Sequence, residues 1–529
     1  MNSLKKKESA RLSELSIWEK QRTLYKNRGV NAWSETGVPM YLTSSPRHAE
    51  ALAETTVAFL KERQCMGILG DGPHHIIDFG AGTGRFAYLY LKAIENRLPS
   101  MGLSLSDIKY VFTDITEKNA AFWQSHLYLK RFWKLGICDY AYFEVGTNNE
   151  LYLQEAKYRI TSKGFSGTHV VIGNYFFDTL KQDVFQFKDG RLYEGEVSTQ
   201  YTDEMENEKW VKSMKVDVSF NDEINPAKYY DNPRLNHVLE QYAAADNNER
   251  FVFTLPTDAF HVIEMVEKWF PDGCLMLTSD QGPSTWEQVS VNNQFKISKH
   301  GCFSVPVNYH AVSVYFKHNK MVRYYPEVVS DVFFTFMGVI ERTTQYRAYG
   351  DTVNTFSRMN HEFNVLDYMT LFDKQVANIS NTTLEEAYLW TKLGGWDPSA
   401  FYTFYDVCKD QLKSASASQK KAWLYMLRRV DEQFYAVSYQ EADLYNRMGI
   451  CAYIMEDFNQ AIYFFERACS VTGEHPALFF NLGLAYYNHD DRNKAAVCFI
   501  QAERLDKTFS IDKKGNTPQE CTWRKKQVL

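Results

Sequence analysis

His74-His75-Ile76-Ile77-Asp78-Phe79 runs straight into Gly80-Ala81-Gly82-Thr83-Gly84, after which a helical pattern opens near Phe86. This junction limits the fold more than any other stretch. Short apolar strands alternating with helices imply a parallel sheet covered on both faces by helices. Partner strands are present. Residues 110–114, 139–144 and 169–174 read as further short apolar strands with helical stretches between them. Residues 273–278 and 312–316 are expected to complete the sheet. Glycines at the turn let backbone approach a ligand, and the following helix offers unpaired N–H groups and a positive dipole end. The dinucleotide fingerprint Gly-x-Gly-x-x-Gly is broken, because Arg85 stands at its third glycine.

Asp78-Phe79-Gly80-Ala81-Gly82-Thr83-Gly84 instead resembles motif I of class I S-adenosylmethionine (SAM) methyltransferases, with an acid two positions ahead of Gly-x-Gly-x-Gly. That resemblance implies SAM as cofactor and gives Asp78 the methionine end; the alternative is a turn that serves only strand–helix packing. An acid at the end of the next strand should meet the ribose hydroxyls. Asp114 has that position, 36 residues after Asp78, against roughly 20 in dinucleotide folds. Taken alone, Asp114 reads equally as a helix cap. Glu144, closing the third strand, is placed for the adenine side or is a solvated loop acid.

The fourth strand delivers Asn174-Tyr175-Phe176-Phe177-Asp178. Ligands of open parallel sheets sit beyond the C-terminal strand ends, so this segment is expected to face the transferred methyl group. The protein's part in methyl transfer is to align, desolvate and remove a proton. Asn174, Tyr175 and Asp178 are the candidate catalytic residues, the Asn174 carbonyl as acceptor for an amine and Asp178 as base or orienter. Phe176 and Phe177 are either cavity wall or core. His310 titrates in a useful range but, as a lone histidine, is not included among them.

Four stretches in order make the chain similar to the MidA-like methyltransferases, the group containing the mitochondrial complex I assembly factor that methylates protein arginine. They are Tyr41-Leu42-Thr43-Ser44-Ser45-Pro46, the glycine loop, Asn174-Tyr175-Phe176-Phe177-Asp178-Thr179-Leu180, and 273–282 with Asp280. The resemblance implies N-methylation. Tyr175 stands where that family has Glu, which weakens the implication of arginine and leaves other nitrogen acceptors open.

Beyond about residue 360 strand patterns give way to helical ones. Tyr445, Met448, Gly449, Ala461, Phe465 and Ala468 recur as Phe479, Leu482, Gly483, Ala495, Phe499 and Ala502, each 34 residues later. That is the period and small/large pattern of tetratricopeptide repeats. The expected architecture is therefore α/β followed by all-α. A Rossmann-like methyltransferase domain takes 1–360, with a core at about 38–320, a charged helical lead-in over 1–35 and an insertion or lid over about 198–250. A helical connection follows at 361–440, holding degenerate repeats or a docking layer. Two repeats take 441–510 and a tail 511–529.

Composition narrows the function classes. A net charge of −6 without a basic stripe argues against nucleic-acid binding. Apolar runs fall short of the ~20 residues of a membrane span. Nine cysteines without a Cys-x-x-Cys pair, and no signal-peptide pattern, suggest reduced thiols in the cytoplasm. No His/Cys clustering suggests a metal. Three functions fit: methylation of a protein or peptide partner recruited by the repeats, methylation of a small molecule with the repeats used for docking, or an inactive repeat scaffold.

Overall fold

The computed structural model describes residues 5–35, 41–202, 209–245, 250–324, 330, 332–341, 347–437 and 443–506. The chain divides into two compact units, Met1–Leu366 and Asp367–Leu529. The tail expected over 511–529 lies outside the described residues.

The two larger sheets of the first unit are built from β1 (Lys5–Arg11), β2 (His74–Phe79), β3 (Ile108–Asp114), β4 (Cys138–Tyr142), β5 (His169–Asn174), β6 (Asp183–Lys188), β7 (Arg191–Thr202), β8 (Lys215–Glu223), β9 (Phe251–Leu255), β10 (Cys274–Asp280), β11 (Val322–Arg323) and β12 (Phe334–Ile340). The central sheet has the order β11-β12-β10-β5-β2-β3-β4. Its members from β10 to β4 are parallel, whereas β12 runs antiparallel to β10 and β11. The chain moves outward from β2 through β3 to β4, then returns to β5 on the other side of β2. The switch point of the sheet thus lies between β2 and β5. All six residues of β2 are buried, as a strand covered on both faces requires.

Two expectations for this unit fail. Residues 312–316 are not a strand but lie in helix Tyr309–His318, capped by Asn308, whose side chain accepts from the Ala311 amide at 3.1 Å. Tyr309, Val312 and Phe316 then recur at helical spacing, all buried. The sheet is closed instead by β12, whose seven residues are all buried. The start of the chain is also not wholly helical. Lys5–Arg11 pairs antiparallel with β7, its charges spaced along a strand; Arg11 meets Glu194 at 2.7 Å.

The region expected as an insertion or lid belongs to a second, antiparallel sheet: β7 pairs with β1, β6 and β8, and β6 with β9. That sheet has its own core of Leu12, Trp18, Val184, Val197, Tyr201 and Trp210. Burying side chains such as Leu12 contributes about 1.5–3 kcal/mol each, enough to hold the N-terminal segment down. Helix Ile17–Arg28 follows directly from this anchored stretch.

Pro46–Cys65 is the expected helix. Ser45 caps it by accepting from the His48 amide at 3.2 Å, and Pro46 takes the first position.

The second unit is helical throughout its described residues. Helices Asp443–Ile454 and Phe458–Thr472 form one hairpin, and Pro476–Asn488 and Arg492–Leu505 another. The two are built alike. A Cβ on Gly449 would fall 2.6 Å from the Phe465 ring, and one on Gly483 would fall 2.6 Å from Phe499. Asp457 and Asp491, again 34 apart, each cap the second helix of their hairpin. Upstream, Ser416 opens helix Ala417–Gln433 through a reciprocal bond with Gln419. Among the described residues no helix is long and apolar enough to cross a membrane, and no cluster of three or more His, Cys, Asp or Glu could hold a metal ion.

Candidate active site

A cavity of about 400 Å³ opens beyond the C-terminal ends of β2, β3 and β5, at the switch point where open α/β sheets bind ligands. The glycine loop forms its floor. Gly80, Gly82 and Gly84 have φ of +67°, +54° and +75°, a conformation that costs other residues strain. The loop is pinned by Ala81 N–H to the Thr113 carbonyl (2.9 Å) and by the Trp123 indole N–H to the Gly82 carbonyl (2.9 Å). A Cβ on Gly82 would stand 3.0 Å from Trp33, and one on Gly80 3.1 Å from Phe176.

Asp78 is buried at the end of β2, where its Oδ2 accepts from the Tyr110 hydroxyl at 2.8 Å. Burial pushes its carboxyl up to about 7; the Tyr110 bond restrains the rise and the Asp114 charge adds to it. Asp114 ends β3 and accepts from the Asn119 amide and the Ile115 N–H, both at 2.7 Å. Burial raises it to about 6 against those donors. It does not cap the next helix; Thr116 does, accepting from the Lys118 amide. Glu144 lines the cavity two residues beyond β4, in ion pairs with Lys26 (2.7 Å) and Arg22 (3.3 Å) of helix Ile17–Arg28.

Across the cavity, Asn174 ends β5. Its Oδ1 lies 3.1 Å from His48 Nε2, while Nδ2 is buried without a partner among the described residues. Burial lowers His48 to about 4, so the ring is neutral. The carbonyl expected to receive an amine is therefore engaged by His48, and the NH₂ is the group left over. Tyr175 takes φ +48°, unusual for a residue with a side chain, and its amide donates to the Ser279 carbonyl at 2.8 Å. Phe176 lines the cavity and stacks on Phe79 at 5.4 Å, whereas Phe177 is core. Asp178 lines the cavity with only 4% of its surface exposed. Burial raises its carboxyl above the usual carboxylate range.

Six predicted residues thus converge with the glycine loop on one cavity. His310 does not reach it. Its Nδ1 bonds the Tyr242 hydroxyl at 2.7 Å in a separate cavity with Trp286 and His318. The sequence reading missed the roof. Trp18, Gln21 and Tyr25 come from one face of helix Ile17–Arg28, and Ser298, His300, Cys302 and Ser304 from a small β-ladder. Tyr25 donates to Cys302 Sγ at 2.9 Å, and Gln21 accepts from the Phe303 amide at 3.1 Å. The three-to-four-residue spacing of Trp18, Gln21 and Tyr25 was the only available signal.

Residues 51–304 match the family model described as "Putative S-adenosyl-L-methionine-dependent methyltransferase". No curated protein matches the sequence. Two crystal structures from Burkholderia thailandensis, of proteins in one superfamily, are similar in part. One is of an uncharacterized protein, at 14% identity over 59% of this chain and 77% of that one, with a TM-score of 0.34. The other is bound to S-adenosyl-homocysteine, at 16% identity over 60% and 73%, with a TM-score of 0.38. Scores this low do not establish a shared fold. The cavity suits SAM on its own terms: a glycine-rich floor of Gly80–Thr83, two carboxyls at the strand ends and an aromatic wall. The chain carries a SAM-dependent methyltransferase domain, with SAM as its cofactor.

Proposed function

We propose that this chain is a MidA-like enzyme that methylates a nitrogen of a protein or peptide, recruited by the hairpins of residues 443–505, which we read as tetratricopeptide repeats. One observation carries the reading: a single cavity faces the glycine loop, Asp78 and Asp114 on one side and Asn174 and Asp178 on the other. Asp78 would hold the methionine end of SAM, Asp114 the ribose hydroxyls, and Glu144 the adenine side. When bound, SAM supplies a methyl group already activated on a sulfonium.

The remaining work belongs to this chain's own side chains. Asn174 Oδ1, through the lone pair not turned to His48, orients the acceptor, Phe176 excludes water, and Asp178 takes a proton from the acceptor nitrogen. The neutral Tyr175 phenol, where the family has Glu, admits an amine as readily as the guanidinium of arginine. The repeat reading is supported by the 34-residue recurrence of Gly449/Phe465 as Gly483/Phe499. We place the reaction in the cytoplasm, a reading supported by the described cysteines being free thiols.

A second reading has its own observation. Trp18, Gln21 and Tyr25 line the same cavity as Asn174 and Asp178, and an aromatic wall there suits a small-molecule amine. A peptide array incubated with methyl-labelled SAM separates the two. Labelled peptides support the protein-substrate reading, and label confined to small-molecule extracts overturns it.

A further inference from the structure

The two stretches that end in Asp178 and Asp280 are 102 residues apart in the chain, yet they meet at one point. β5 and β10 are parallel neighbours in register, Gly173 beside Thr278 and Asn174 beside Ser279. Asp280 is the last residue of β10, and Asp178 lies in the short turn Phe177–Thr179 just beyond β5. The two carboxyls lie close enough for each to bear on the other's charge, and Asp280 has no exposed surface. The Oδ1 atoms of both are buried with no donor directed at them among the described residues. The Tyr309 hydroxyl occupies the other oxygen of Asp280, donating to Oδ2 at 3.0 Å. Ser304, approached by the Gln281 amide at 2.9 Å, lines the same cavity as Asp178.

Two carboxylates buried this close to each other cannot both be charged, so the pair holds a proton. The titratable groups facing the pair supply no cation. Tyr25, Tyr175, Cys302 and Tyr309 are all pushed up by burial and stay neutral near pH 7. Asp178 fronts the cavity; Asp280 stands behind it.

We propose that Asp178 and Asp280 form a carboxyl pair sharing one proton, and that this pair is the binding site for a cationic nitrogen acceptor, an amine or a guanidinium. The proposal rests on the N-methylation reading given above. As the cation arrives, the shared proton leaves to solvent; the cation meets Asp178, which fronts the cavity, while Asp280 behind it carries the second charge. One N–H proton of the acceptor then passes to Asp178, which restores the singly protonated pair and frees the nitrogen lone pair. The lone pair forms the new N–C bond while the C–S bond breaks, its electrons remaining on sulfur, and the methylated nitrogen departs as a cation. Asp178 is the catalytic residue. Asp280 is a positioning residue that acts through it by keeping a proton on the pair until a cation displaces it.

The test uses the intact chain saturated with S-adenosyl-homocysteine (SAH), titrated with methylguanidinium and with methylammonium by calorimetry at about pH 7. Running it in two buffers of different ionisation enthalpy counts the protons released. The wild type is expected to release close to one proton per cation bound. Asp280→Asn, whose amide donates to Asp178 without a titrating proton, is expected to release almost none while binding SAH within about threefold of wild type. Asp280→Glu is expected to restore the release. Binding without proton release in the wild type overturns the shared proton, and so does equal release in Asp280→Asn. Failure of either cation to bind SAH-loaded protein overturns the acceptor assignment. Failure of SAH itself to bind sinks the underlying methyltransferase reading instead. The wild-type count decides the matter even where Asp280→Asn does not fold.

Discussion

The two ends of the cavity are built in opposite ways. The end proposed for the cofactor is local: β2, the glycine loop and helix Arg85–Glu95 follow one another within 22 residues, from His74 to Glu95. Its geometry is set by backbone, three left-handed glycines and two N–H or indole bonds that pin the turn. The end proposed for the acceptor is assembled from helix Ile17–Arg28, the segment after β5, Gln281 just beyond β10 and the ladder Ser298–Ser304. Its geometry is set by side chains that meet only once the whole unit has folded. A backbone-built end tolerates little change at its glycines but much around them. A side-chain-built end can be retuned one residue at a time.

Asp178→Asn separates the ends most sharply. Turnover with an identified acceptor should fall on the order of a hundredfold to ten-thousandfold, the usual scale for a general base, while SAH affinity changes by less than about threefold. Equal losses in both measurements would merge the two ends into one.

Asp78→Asn should do the reverse, weakening SAH binding about tenfold through loss of a charged hydrogen bond. Unchanged affinity would remove Asp78 from the cofactor site.

The same residue gives the cofactor end a pH signature. Asp78 is held up at about 7 in the free protein, so it must shed its proton to receive a cation. SAH affinity should therefore weaken as pH falls through 7. Stability of the free protein carries the opposite sign. A carboxyl raised by folding contributes stability that is present at low pH and lost as pH rises through 7. Melting curves should show Tm of free protein declining between about pH 5.5 and about pH 7.5 while the SAH-induced increase in Tm grows. Parallel curves would contradict the assignment.

The smallest effect is expected from Glu144→Gln. It loses ion pairs to Arg22 and Lys26 that are partly exposed and worth at most about 1 kcal/mol. SAH affinity should fall no more than about fivefold. A larger loss would make Glu144 a principal ligand rather than a tie between the N-terminal helix and the cavity rim.

This contrast also explains which parts could be read in advance. The glycine loop, Asp78 and the strand ends at Asp114 and Asn174 were legible because each is fixed by a neighbouring turn or strand end. Residues 312–316 misled because Val312-Ser313-Val314 alternates like a strand, and only the Asn308 cap and the burial of Tyr309 and Phe316 make it a helix. Lys5–Arg11 misled because its partner, 196–202, is almost two hundred residues away. Asp280 was visible as a motif residue, but its contact with Asp178 depends on β5 and β10 lying side by side, which the sequence order does not state.

The central claim is that the glycine-floored cavity binds SAM, and calorimetry of SAM and SAH on the intact chain, with Gly82→Arg beside it, tests it most directly. Gly82 has φ +54° and Trp33 3.0 Å from where a Cβ would stand, so a side chain there meets both strain and bulk. The account predicts affinity on the order of micromolar for the wild type and a loss on the order of a hundredfold or more in the variant. Folded wild-type protein that binds neither ligand, or a Gly82→Arg variant that binds as well as wild type, would contradict it.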